Sequence, residues 1–518
     1  MQLRGLALVL LLVASLAAPA SAARILAIFP HFGKSHFDFF EPLMKALAAR
    51  GHDLHVLSYF PQKQPLANYT DHILEGSMLA PATGGVSLRA RASENPVQQQ
   101  LHLAYMGLST CEAVLSHNTT QHLLRSDLHF DLLITELFNT DCFLGFVHRF
   151  KAPFIALSSC ALMPWSNGRM GNPDNPAYIP NLFSPLGSKM SFWERTYNTG
   201  LYLLHQIIRK LLVDIPSQKV ASHFFGSDLP PLQEIAKNTS LLLVNSYFTL
   251  HSVRPFVPGV IEVGGMHLPT APKPLPQDIK EFLDGAIHGV IYFNMGSMIK
   301  ASTVHEDKLH AYLEAFSSLP QRILWKWEED SLPYQPENVM VKKWLPQFDI
   351  LSHPSVKVFI GHGGLLGTIE AVYFGVPILG TPIFGDQKVN MHSLTDAGMA
   401  IKLDYSDITK ESLLHSLREL IYNSSYRENA KLRSELFRDR PQSPLETAVH
   451  WTEYIIRHKG ASHMRSAAAD LNFIQYLLLD VIFVVVMGLL TIAVVVGFIL
   501  KKIIKKVQIF LILRKKLQ

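Results

Sequence analysis

Along most of the chain, short β-rich apolar runs alternate with longer segments in which apolar residues recur every three or four positions. The first run, from Ala23 to Pro30, predicts a strand. Behind it, Phe40, Leu43, Met44 and Leu47 share one face of a helix that Arg50-Gly51 ends, and His52–Ser58 predicts a second strand. Leu132–Ile134, Phe154–Leu157 and Leu241–Val244 continue the alternation. Such a pattern predicts an α/β fold, a mostly parallel sheet wrapped by helices. Residues 164–229 break the rhythm: they are richer in Pro, Gly, Asn and aromatics, and turn helical around Trp193–Val213. We read them as loops and helices over the first sheet, with an apolar aromatic lining that suits a lipophilic alcohol or phenol. Prolines are dense from Pro255 to Pro276, which marks a linker between domains, and Gly289–Met298 then opens a second β/α unit.

The most informative stretch is WLPQFDILSHPSVKVFIGHGGLLGTIEAVYFGVPILGTPIFGDQ, from Trp344 to Gln387. Lys357–Ile360 is β-rich, Gly361-His362-Gly363-Gly364 is a turn, Leu365–Phe374 is helix-compatible, and Val376–Leu379 starts another buried run. In a strand–glycine turn–helix–strand unit the backbone can approach a diphosphate, and free N–H groups at the helix start bind its charge. Aromatic, acidic and amide side chains surround the turn. An indole face stacks on a base, a carboxylate accepts from two hydroxyls, and an Asp–Gln pair offers acceptors and donors to a polyol.

This stretch resembles the donor-binding signature of the UDP-glycosyltransferases, and LLGTIEAVYFGVP with IFGDQ is similar to the arthropod members. The resemblance implies that Trp344 stacks on uracil with Gln347 beside the nucleoside. His362 and the Gly363–Gly364 backbone would contact the diphosphate, Glu370 the ribose hydroxyls, and Asp386 with Gln387 the sugar. Ser297 resembles a family position near the donor phosphates. Many relatives carry Asn or Ser where this chain has Leu366 and Gly367, so backbone amides must do more of the phosphate binding here.

An acceptor hydroxyl is far too weak an acid to attack unaided at neutral pH, whereas imidazole titrates near neutrality and can take its proton. His31 and His36 both lie in the loop after the first strand. The family places a His base there, and the Ser35-His36 pair favours His36. The base needs an orienting carboxylate. Glu136 and Asp141, in FDLLITELFNTDCFLGF, are the candidates. Asp141 is preferred because it has the residue type of many relatives, although Asp also suits a helix cap.

The resemblance covers nearly the whole chain and implies a GT-B fold: two Rossmann-like lobes facing a cleft, with the acceptor in the N-terminal lobe and the donor in the C-terminal one. The expected division is an acceptor lobe over 23–250, a linker over 251–285, and a donor lobe with return helices over 286–470. Residues 1–22, with an apolar run and Ala20-Ser21-Ala22, read as a secretory signal. Val481–Leu500 is an uncharged apolar run about 30 Å long as a helix, and the expected transmembrane helix spans 479–500.

At 518 residues, 48% of them hydrophobic, the chain has room for two or three domains. The net charge of +5 is carried by the tail: residues 501–518 hold seven Lys or Arg and no acid, which predicts a basic cytosolic tail and a lumenal body. The body is near neutral and offers nothing to nucleic acid. Lys515 and Lys516 stand where dilysine endoplasmic-reticulum retrieval signals have theirs. Asn68, Asn118, Asn238 and Asn423 head glycosylation sequons, usable after lumenal entry. Cys111, Cys142 and Cys160 have neither zinc-site spacing nor the number for a disulfide scaffold, and three free thiols are preferred over one bridge.

The expected activity is inverting transfer of a hexose, glucose by preference, from a UDP-sugar to a small lipophilic acceptor. It needs no cofactor and no metal, at the endoplasmic-reticulum membrane, with a homo-oligomer possible. A catalytically inactive lipophile-binding protein on the same fold, or a UDP-glucuronate-using transferase, is the alternative. A nicotinamide oxidoreductase would need G-x-G-x-x-G after an early strand, where this chain has HFGKSH.

Overall fold

The computed structural model describes residues 22–76 and 86–517, so nearly all of the expected signal segment lies outside the described residues. One seven-stranded sheet contains β1 (Arg24–Ile28), β2 (Asp53–Ser58), β3 (Tyr69–Ile73), β5 (Leu132–Glu136), β6 (Phe154–Ser158), β7 (Leu241–Val244) and β8 (Val260–Glu262). Its order is β3-β2-β1-β5-β6-β7-β8, every pair parallel. A six-stranded sheet contains β9 (Val290–Asn294), β11 (Arg322–Lys326), β12 (Val339–Lys342), β13 (Val356–Gly361), β14 (Ile378–Gly380) and β15 (Ala400–Lys402) in the order β12-β11-β9-β13-β14-β15, again all parallel. A two-stranded ladder pairs β4 (Val86–Ser87) with β10 (Ile299–Lys300), one strand from each half of the sequence.

Strand order reverses direction between β1 and β5 in the first sheet and between β9 and β13 in the second. Loops diverge at such points and leave a crevice beyond the carboxyl ends of the strands, where ligands of open α/β sheets bind. Both crevices open into one cleft of about 730 Å³.

Local chemistry explains the elements around it. α1 (Lys34–Ala49) buries Phe37, Phe40, Leu43, Met44 and Leu47 against the first sheet, each worth about 1.5–3 kcal/mol if fully buried. α2 (Pro96–Ser116) opens with an Asn95–Gln98 capping box and Pro96 at its first turn. α3 (Phe192–Arg209) runs into a π-helical turn, Lys210–Asp214. In the second lobe α4 (Leu365–Phe374) follows the glycine turn directly and α5 (Gln387–Asp396) starts at Asp386. α6 (Pro444–His458), set by a Ser443–Glu446 capping box, returns to the first lobe and packs Ala448, Val449 and Ile455 into the core that holds α1.

The structure corrects several sequence expectations. Cys111 on α2 and Cys142 after β5 form a disulfide, leaving Cys160 free. Thirty-one positions separate the pair, and only the packing of α2 brings them together. Within residues 251–285, read as a linker, Val260–Glu262 is the outer strand of the first sheet, and Gln277–Asp284 is a helix that buries Ile279 and Leu283 in the second lobe. Separately from this body, α7 (Leu479–Lys516) is one continuous helix that includes most of the basic tail. It is apolar and long enough to cross a membrane. Asn68, Asn118, Asn238 and Asn423 are all exposed.

Candidate active site

The loop after β1 folds over itself before α1 begins. The Gly33 N–H donates to Nδ1 of His31 at 2.9 Å, and Gly33 is the N-cap of α1, so His36 stands in its first turn. His31 and His36 stack with ring centroids 4.1 Å apart, and the edge of Phe138 closes on both rings. Residue 33 has no room for a side chain. A Cβ there would meet the His31 ring at 2.6 Å and the Met298 sulfur of the opposite lobe at 3.1 Å.

Glu136 ends β5, the neighbour of β1 at the switch point, and its Oε1 lies 2.5 Å from His36 Nδ1. Ser159, just past β6, brings its Oγ to 2.9 Å from the same nitrogen. The carboxylate in contact with His36 is therefore Glu136 and not Asp141, the residue preferred from sequence. Asp141 points into a buried ion-pair cluster. Arg169 Nη2 donates to both its oxygens at 2.8 and 2.9 Å, and Arg209 Nη2 donates to Oδ2 at 2.8 Å. Nor does the Asp141 side chain cap the turn that follows it. Burial by itself would raise the Asp141 carboxyl, but the two guanidinium groups outweigh it and hold it below the ordinary range. Around His36, burial acts almost alone. It pushes Glu136 up to about 7 and His36 down to about 3, so the imidazole is neutral at rest. Once Glu136 is ionised it accepts from Nδ1–H, which leaves the Nε2 lone pair as a base.

On the other wall, the turns after β9 and β13 meet. His362 lies between glycines that leave it room: a Cβ would come within 2.6 Å of its ring at Gly296 and 2.3 Å at Gly364. Gly363 has φ +77°, a conformation that suits glycine. Burial, with the charge of Lys326 as the lesser cause, lowers His362 to about 4, so it too is a neutral imidazole. Gly364 is the N-cap of α4, and Ser297 Oγ is buried with no hydrogen-bond partner among the described residues. Further along, Asn294 Nδ2 donates to Gln347 Oε1 at 2.7 Å, and Gln347 Nε2 donates to Glu370 Oε2 at 2.7 Å. Burial raises Glu370 to about 7, against the pull of Gln347. Trp344 lies on the cleft with 58% of its surface open, as a stacking face requires. Asp386 keeps Oδ2 buried and unpartnered among the described residues, and burial raises it to about 6. Gln387 differs from expectation. Its Oε1 accepts from the Ile383 and Phe384 N–H groups at 2.7 and 3.0 Å, so it braces the loop and only Nε2 is left to donate.

His36, Ser297, Trp344, Gln347, His362, Gly363, Gly364, Glu370, Asp386 and Gln387 thus line one cleft, and Asp141 does not. Sequence reasoning missed Ser159, Asn294, Lys326 and Gln99, all on the same cleft. The Asn in GVIYFNMGSM, at a strand end facing a glycine turn, was the one visible signal among them.

Residues 44–517 match the family described as UDP-glucoronosyl and UDP-glucosyl transferase. The chain belongs to that family. It is 43% identical over 486 residues to a UDP-glycosyltransferase of Dactylopius coccus, with 92% of each chain covered. Identity is 29% to a 2-hydroxyacylsphingosine 1-beta-galactosyltransferase of Rattus norvegicus, over 94% of this chain and 90% of that one. A solved UDP-glucose: anthocyanidin 3-O-glucosyltransferase in complex with UDP superposes with a TM-score of 0.57 at 18% identity, covering 84% of this chain and 99% of that one. The two facing parallel sheets are the GT-B fold, and this member of the family is a UDP-glycosyltransferase.

Proposed function

We propose that this UDP-glycosyltransferase moves a hexose, glucose by preference, from its UDP-sugar to a hydroxyl of a small lipophilic acceptor with inversion at the anomeric carbon. The observation that carries the reading is the contact of His36 Nδ1 with Glu136 Oε1, at 2.5 Å, in the cleft that also holds Glu370, His362 and Asp386. The acceptor oxygen attacks the anomeric carbon as the bond to UDP breaks on the opposite face. Its proton goes to Nε2 of His36, and the imidazolium is held by ionised Glu136. The electron pair leaves with the diphosphate, which the backbone N–H groups at the start of α4, the neutral His362 ring and Ser297 stabilise without a metal or cofactor.

The preference for glucose is supported by a UDP-glucosyltransferase of Dactylopius coccus, 43% identical over 92% of this chain. A lipophilic acceptor is supported by Phe32, Leu103, Met106, Phe138, Met163 and Phe183 on the acceptor side of the cleft. We further propose that α7 anchors the protein in the endoplasmic-reticulum membrane with the body lumenal. Lys501, Lys502, Lys505 and Lys506 would hold that end of the helix on the cytosolic side.

The test uses membranes carrying the protein or its His36→Ala variant. UDP-glucose, UDP-glucuronate and UDP-galactose are offered separately with phenols, steroids and flavonoids while UDP release is followed. The expected result is turnover with UDP-glucose that falls on the order of 10²–10⁴-fold in the variant, with UDP binding unchanged. Full activity in the variant would remove His36 as base. UDP binding without turnover on any donor would favour the lipophile-binding alternative.

A further inference from the structure

Residues 86–92 belong to the acceptor lobe by sequence and to the donor lobe by packing, and the helix that follows them carries Gln99 to the same lobe. β4 pairs with β10, Leu88 is 2% exposed within the donor-lobe core beside Phe293 and Trp327, and the Leu88 N–H donates to Thr303 Oγ1 at 2.8 Å. Gln99, buried on α2, accepts from the Gly385 N–H at 3.0 Å and donates to the Glu94 carbonyl at 3.1 Å. Both ends of its amide are committed, and they tie this segment to the loop that presents Asp386 and Gln387.

Arg91 lies on the cleft wall 6.0 Å from the centre of the Phe384 ring, just ahead of the same loop. Its fork is full. Nη1 donates to both oxygens of Glu94 at 2.7 and 2.8 Å, and Nη2 donates to Nε2 of His102. Burial and the charge of Arg91 keep His102 below its ordinary range, so it is a neutral acceptor there. A guanidinium is the side chain best matched to a carboxylate, and here the matched position is already held by a carboxylate of the protein.

We infer that residues 86–102 form a third wall of the donor-sugar site, in which Glu94, by occupying Arg91, selects an uncharged hexose over a hexuronate. The inference rests on the UDP-sugar reading above. A uronate would bring its C6 carboxylate toward Glu94 and Asp386, and the Arg91 guanidinium that could meet it is already paired with Glu94. A hexose brings a hydroxyl, which has no such repulsion to overcome.

The test is competition binding to the full-length protein in detergent, with UDP, UDP-glucose and UDP-glucuronate and no acceptor, so turnover is not needed. Wild type should bind UDP-glucose more tightly than UDP-glucuronate. Glu94→Gln should tighten UDP-glucuronate by about tenfold, the lower end for a freed charge-assisted hydrogen bond, while UDP moves by less than about twofold. Adding Arg91→Met to that variant should erase the gain, which assigns it to the guanidinium. If Glu94→Gln fails to fold, Glu94→Asp should shift the ratio in the same direction by less. The inference is overturned if UDP still binds but the ratio of the two sugars stays within about twofold of wild type, or if wild type already prefers UDP-glucuronate. Failure of wild type to bind UDP at all would instead remove the UDP-sugar reading, and this inference with it.

Discussion

Glu136 and Asp141 stand on one short stretch after β5, and their surroundings give them opposite tasks. Glu136 is buried with no Lys or Arg beside it among the described residues, which raises it to about 7, and in the proposed mechanism its ionisation sets the pH at which His36 becomes a base. The rate kcat/KM should therefore rise with pH through about 7. In Glu136→Gln that limb should vanish and the rate should fall on the order of 10²-fold, because a neutral amide cannot stabilise the imidazolium. A pH profile of both proteins on one donor–acceptor pair checks this, and an unchanged profile would separate Glu136 from the chemistry. Asp141 is instead tied to Arg169 and Arg209. Removing its charge strands buried guanidinium groups at about 3–5 kcal/mol. Asp141→Asn should lower the thermal midpoint sharply, and whatever protein still folds should keep the wild-type pH profile. Sequence could not separate the two acids. Both residue types suit an orienting carboxylate, and the choice is made by Arg169 and Arg209, which arrive from the irregular region 164–229.

At the scale of elements, the turn between β13 and α4 was legible in advance because its chemistry is local: glycines, a histidine and the helix that follows occur in unbroken sequence. The close packing of His362 between Gly296 and Gly364 was not, since the two glycines lie in turns after different strands. It makes a sharp prediction. Gly364 has an ordinary φ of −63°, so alanine is allowed by the backbone there, but its Cβ would fall 2.3 Å from His362 Nε2. Gly364→Ala should displace the ring and weaken UDP binding by about tenfold or more, the loss expected for a charge-assisted contact, while the fold is retained. Titration calorimetry with UDP and a melting curve would show it. β4 was invisible for a related reason. A two-residue strand has no periodicity, and its partner β10 lies in the other half of the chain.

For the whole molecule, the alternating pattern indicated a parallel α/β architecture and an uninterrupted apolar run indicated the long helix, because each is written in contiguous residues. The Cys111–Cys142 bridge and the seat of β8 at the sheet edge depend on tertiary placement and had to be seen. The body through Arg465 is compact by itself, which leads to a prediction about α7. A chain ending before Leu479 should leave the membrane fraction and bind UDP as the full chain does. Ultracentrifugation followed by UDP titration checks both halves, and loss of UDP binding would make α7 part of the folded body.

The seat of Leu88 also bears on how the molecule is born. Chains fold lobe by lobe as they leave the ribosome, N-terminal part first. Here Leu88 and β4 emerge early, yet the core that receives them is built from Ile291, Ile299 and Leu417, far downstream. Through much of synthesis the nascent acceptor lobe must carry an unpaired strand and an uncovered leucine, and it is completed only when the second lobe closes over them.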